Sequence, residues 1–220
     1  MKTLLYNILL LLFPLVLFAA KGDQDIALVL KINGQAEFES QSRWQPLQKG
    51  QRLDDGAKIR TAEDALVAIV FTDDKSMMKI RGGSLVEING DRGVKGIKKR
   101  IKLDLGSIWS RITSGGAAYR LETPSGVAAV KGTIFYTMVD QNGLTTVIGI
   151  EGIVELFNNL GSVEVGQGTT GMLSKSETPT LGPTTSYEDW ATNDGETMLL
   201  EIQVENDKNE SKTLRIRFEQ

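Results

Sequence analysis

The chain has 220 residues, 40% of them hydrophobic and 24% charged, with a formal net charge of -3. These are globular proportions, enough for one sizeable domain with its own core, and they exclude wholesale disorder or a polytopic membrane protein. Cysteine and histidine are both missing, which removes disulfide frameworks, acylation on cysteine, Ser-His and Cys-His catalysis, and the commonest metal ligand.

The chain opens with Lys2 and then an almost wholly apolar run from Leu4 to Phe18, closed by Ala19 and Ala20. A basic start followed by such a run is the pattern of a secretory signal peptide over residues 1–20. The competing reading is an uncleaved anchor, since about 17 residues lie at the lower edge of what spans a hydrocarbon core. Pro14 speaks against a lasting transmembrane helix. The protein is therefore expected to be exported to the periplasm or cell envelope, with membrane contact only through this segment if it is retained. Its loss removes Lys2 alone and leaves a net charge of -4, too mild a balance to steer nucleic acid.

From Ile26 onward apolar residues recur at period two, with turn residues every ten or so positions, which predicts short β-strands. Leu28, Leu30 and Ile32 are separated from Ala36 and Phe38 by Asn33-Gly34, read as a hairpin turn. Ala65 to Phe71 reads as a strand buried on both faces, turning at Thr72-Asp73-Asp74. Ile101, Leu103 and Leu105 alternate with Lys102 and Asp104, predicting one buried and one wet face. Asn142-Gly143 marks a second hairpin, and Ile153 to Phe157 pairs with Val163 to Val165 around Asn158 to Gly161. Gly166 to Ser186 reads as irregular, Tyr187 to Ala191 as a single helical turn. Met198 to Val204 and Thr213 to Phe218 form a terminal hairpin expected to pack on the main domain or on a partner, since a lone hairpin is marginal in water. The fold class is all-β: a compact roll, sandwich or short solenoid. Its parts are residues 26–172 as the β domain, 173–190 as an irregular arm and 191–220 as the hairpin extension.

Several ordered motifs resemble the FecR domain family. Trp44-Gln45-Pro46-Leu47, then Gly56 and Ile59-Arg60-Thr61, resemble the opening of that domain. Thr123-Pro124-Ser125-Gly126-Val127-Ala128-Ala129-Val130-Lys131-Gly132-Thr133-Ile134-Phe135 resembles its central signature, with Gly126 in place of alanine and Lys131 in place of arginine. Glu151-Gly152-Ile153-Val154 and Gly166-Gln167 resemble the closing elements. The resemblance covers residues 27 to 172. It implies an exported all-β module in signalling or ligand recognition. In the best-known members a cytoplasmic anti-sigma segment precedes a membrane helix; only Met1 to Thr3 precede the apolar run here, so no such segment is expected.

Candidate contacts for an anion or partner are Arg92, Lys95, Lys98, Lys99, Arg100 and Lys131. A basic run of this kind fits anionic lipid or an acidic polymer, though it is more often a solvated strand face. No aromatic lies between these residues to stack a base, so nucleic acid is not an expected partner. Asp54-Asp55 and Asp73-Asp74 are adjacent, and neighbours in a strand point to opposite faces, so neither pair is expected to line one site. Trp44 and Trp109 read as packed anchors. No cofactor or metal site is encoded, and no nucleophile motif is present. The expectation is a non-enzymatic envelope protein binding a protein partner or cell-wall ligand, with a structural or assembly component of the envelope as the alternative.

Overall fold

The computed structural model describes residues 25–40 and 42–192, together with the backbone of 198–205 and 211–218. The expected export segment, residues 1–20, lies outside the described residues. Nineteen strands are formed, with no helix among the described residues: β1 (Ala27–Asn33), β2 (Ala36–Ser40), β3 (Arg43–Pro46), β4 (Arg52–Leu53), β5 (Ala57–Thr61), β6 (Leu66–Phe71), β7 (Met77–Arg81), β8 (Leu85–Gly93), β9 (Gly96–Arg111), β10 (Tyr119–Thr123), β11 (Gly126–Val130), β12 (Ile134–Val139), β13 (Thr145–Glu151), β14 (Val154–Asn158), β15 (Gly161–Val165), β16 (Thr169–Leu173), β17 (Thr180–Pro183), β18 (Met198–Glu205) and β19 (Ser211–Phe218).

The first seventeen strands form one hydrogen-bonded network that does not close into a barrel, and it folds as two layers. The first layer runs β1-β6-β7-β9-β12-β13-β16-β17, and the second runs β3-β2-β5-β8-β9-β10-β11-β14-β15. Strand β9 belongs to both. Its first half pairs with β8 and β10, its second with β7 and β12. The change of layer falls at Gly106, whose φ is +101° and where a Cβ would stand 2.5 Å from Ser84 Cα. A bulge opposite Leu85 and Val86 lies just before it; it turns Leu105 outward to 37% exposure, against the expected alternation.

Between the layers lies the main core, drawn from alternate residues of both: Val67, Ile69 and Phe71 from one side, Val86, Ile88, Ile101 and Leu103 from the other. Phe71, Tyr119 and Phe135 meet edge to face across it, with ring centroids 6.3 Å apart in each contact. A second apolar cluster covers the outer face of the first layer, with Leu30, Ala68, Val70, Met77, Trp109, Tyr136 and Ile148 packed beneath Trp190 and Ala191. That is why β6 is apolar on both faces, as its sequence predicts.

Three expected features differ. Asn33-Gly34 does not close a hairpin, because β1 pairs with β6 while β2 pairs with β3 and β5 in the other layer. The stretch 166–186 contains β16 and β17, whose ladder continues the first layer. Residues 190–192 form a turn rather than a helical segment. Asn142-Gly143 does join paired strands, as does the loop between β14 and β15. The terminal β18–β19 pair is a separate two-stranded sheet passing close to β1.

Candidate functional site

The basic stretch divides by strand alternation. Lys98, Arg100 and Lys102 of β9 point to solvent, while Lys99 points into the sandwich. Its side chain is 1% exposed, and its ammonium lies 2.9 Å from Asp73 and 2.8 Å from Asp74, with the Ile97 carbonyl at 3.2 Å and the Phe71 ring at 5.3 Å. Lys99 is thus a buried tie rather than a surface contact. The two aspartates do converge on one site, against the expectation, because they sit in a turn rather than a strand. Burial pushes the Asp73 carboxyl up, but the Ile97 N–H at 2.7 Å and the Lys99 ammonium outweigh it and hold it below its ordinary value.

Arg92 is also engaged: its guanidinium donates to the Asp25 carbonyl at 2.5 Å and to Thr72 at 3.2 Å. Lys95 sits in the exposed β8–β9 turn beside fully exposed Val94. Lys131 is exposed in the β11–β12 connection, just past the end of β11 and two strands from β9.

What remains is organised by register across the outer face of the second layer. One row alternates in sign over five adjacent strands: Glu39, Lys58, Glu87, Lys102, Glu122. Lys58 pairs with Glu39 at 2.9 Å. The neighbouring row does not alternate. Arg100 lies directly beside Arg120, then come Ala129, Glu155 and Glu164 on successive strands. All four charged side chains are exposed, and none has an ion pair among the described residues. Like charges opposite one another cost stability. Arg120 and both glutamates are absent from the sequence-predicted set; their meeting depends on the pairing of β9 with β10 and β11 with β14, which no local signal encodes.

The FecR-like motif residues serve the frame. Trp44 carries the Arg60 guanidinium 4.4 Å above its ring, and Arg60 reaches Glu37 at 2.5 Å. Buried Thr61 bridges the Arg81 carbonyl and the Ser84 N–H, at 2.7 and 2.9 Å. Thr123 binds the Gly126 carbonyl and the Thr145 hydroxyl around the Pro124 turn. A Cβ on Gly126 would stand 2.4 Å from the Phe157 carbonyl oxygen, so small size is required where β11 meets β14. Gly56 donates to the Ile88 carbonyl at 2.9 Å. Thr133 and Phe135 are buried, and Glu151 at the end of β13 and Gly152 just after it are exposed, with Gly152 lying against Gly132.

A further surface lies on the outer face of the first layer. Residues 187–192 cross it as a strap. Tyr136 packs against Tyr187 at a tilt and Trp190 edge-on, with ring centroids 5.5 Å apart in each contact, and donates to Asp189 at 2.6 Å. Arg81 forms a two-point pair with Glu188 at 2.7 and 2.9 Å. Lys79, 1% exposed, donates to the Ala191 carbonyl and lies 5.5 Å from the Trp109 ring. Burial, with Asp189 alongside, pushes the Tyr136 phenol well above its ordinary value. Burial raises the Asp189 carboxyl too, but the bonds from Thr192 and Tyr136 outweigh it and leave it low. Among the described residues no group of three or more Asp and Glu could hold a metal ion, and no helix is long and apolar enough to cross a membrane.

Residues 57–155 match the FecR protein family. The matched FecR segment runs from β5 into β14 and so spans the centre of both layers. No curated protein matches the chain. Two crystal structures of a candidate anti-sigma factor from Parabacteroides distasonis ATCC 8503 are similar, each at 11% identity and a TM-score of 0.49, covering 57% of this chain. The chain spans 59% of the length of those proteins.

Proposed function

We propose that this FecR-type chain is an exported, non-enzymatic binding module of a signalling system, and that it engages a protein partner through its terminal hairpin. Export is supported by Lys2 and the apolar run to Phe18, and the lack of catalysis by the absence of histidine and cysteine. The regulatory reading is supported by the FecR segment.

The observation that carries the hairpin's role is its isolation. β18 and β19 pair only with each other among the described strands. Their outer edges carry main-chain donors and acceptors that no ladder uses, the arrangement to which a partner strand adds. The test compares envelope proteins recovered with the full chain and with a chain ending at residue 192, which keeps the strap. A partner recovered by the first and lost by the second supports the reading. Equal recovery with both overturns it. The N-terminal sequence of the protein purified from the envelope tests export and cleavage together: a start near residue 21 is expected.

A further inference from the structure

We infer that a second copy of this chain docks on the outer face of the second layer, related by a two-fold axis running along β11 over Ala129. One row of that face carries charges that do not alternate. Arg100, Arg120, Ala129, Glu155 and Glu164 occupy five adjacent strands in direct register. Ala129 stands at the centre, two basic residues lie on one side, and two acidic residues lie at the same strand offsets on the other. With neighbouring strands about 4.8 Å apart, the inner pair sits about 5 Å from the centre and the outer pair about 10 Å.

A two-fold axis along the central strand exchanges these positions. Arg120 then faces Glu155 of the second copy, Arg100 faces its Glu164, and both contacts occur twice. The centre does not obstruct approach: Ala129 is small and half-buried, and beside it Val127 and Phe157 are half-buried and apolar. Like charges placed side by side are unfavourable within one molecule, and the same placement is neutralised by its own rotated image. Such a contact is isologous and closes at two copies. The adjacent alternating row is compensated within each chain and supplies no competing preference for a foreign anion. This inference does not depend on the signalling role or on the terminal hairpin.

Exposed ion pairs are individually weak and screened by salt, so the expected dimer dissociates at high ionic strength. The experiment uses protein purified from cells producing the full chain, held in a non-ionic detergent so that the apolar N-terminal run does not associate. Sedimentation velocity at low salt should show a dimer, and at about 1 M salt, where the screening length is about 3 Å, a monomer. R100E/R120E should be monomeric, and so should E155R/E164R. An equimolar mixture of the two should form a heterodimer, and the fourfold reversal R100E/R120E/E155R/E164R should again self-associate. Thermal melting at the wild-type temperature shows that the exposed substitutions leave the fold intact. A wild-type monomer at low salt overturns the inference. So does a dimer that is indifferent to either charge reversal, or a mixture of the two reversed variants that stays monomeric.

Discussion

Replacing Lys99 by methionine should cost the fold more than removing a solvent-facing charge of the same strand, and should weaken the effect of acid at that site. The Lys99 side chain is 1% exposed and its ammonium holds two carboxylates whose side chains are 9% and 12% exposed. Removing one member of a buried ion pair leaves the other uncompensated, at a cost of about 3–5 kcal/mol. The aspartates stand at the rim of the core, where water reaches them, so the lower end applies, about 3 kcal/mol. For a chain of this size each kcal/mol moves Tm by about 2–4 °C, giving a fall of about 6–12 °C. The sign of the pH dependence follows from Asp73. In the native protein its pKa lies below the ordinary 3.8, so its contribution is complete above that value and is lost as pH falls through the folded pKa. Without Lys99 the Ile97 N–H still lowers the Asp73 carboxyl, but burial offsets more of it; the folded pKa moves up from its native position, and the stability that Asp73 contributes above 3.8 shrinks. The stability gap between wild type and K99M, measured by urea unfolding, should therefore be widest near about pH 7 and narrow toward about pH 3. Lys98→Met on the solvent side should stay within about 0.5 kcal/mol of wild type. A gap that is constant over this pH range, or below about 1 kcal/mol, would refute the buried-tie reasoning.

Two other substitutions test the frame. Gly106→Ala places a Cβ against Ser84 at a positive φ, and should cost about 1–3 kcal/mol in unfolding measurements because the layer change of β9 cannot relax away from it. Tyr136→Phe removes the donor to Asp189 but keeps the ring contacts with Tyr187 and Trp190. It should cost about 1 kcal/mol of strap docking, less than a fully buried charged bond, and so should speed proteolytic cutting within residues 184–192 while leaving the main unfolding transition unaltered.

The all-β class and many strands were legible because their signals are local. Alternation in Ile101 to Asp104 and the Asn142-Gly143 turn need only their neighbours to be interpreted. Asn33-Gly34 carries the same kind of turn signal, yet β1 and β2 diverge because β6 and β5, each far along the chain, supply better partners in different layers. Distance in sequence also hid the charged row. Arg120 and Glu155 look unremarkable in their own strands, and their placement is decided by a parallel β9–β10 pairing and a β11–β14 pairing that skips two strands. The basic stretch was visible, but not its division. Strand alternation alone would have turned Lys99 away from Lys98 and Arg100; what no local pattern reveals is that the turn at Asp73-Asp74 waits to receive it.

A strand shared by both layers also bears on how the chain is made. Residues 96–111 take partners from β7 and β8 on one side of the sequence and from β10 and β12 on the other. The second layer cannot be completed until Val165 has emerged from the ribosome, nor the first until Pro183, by which time more than half the chain has waited with open strand edges. Long-range pairing of this kind is slow and exposed to aggregation. The sandwich is accordingly expected to form late and as one unit, which gives a nascent chain reason to rely on holding factors until its central strand is shared.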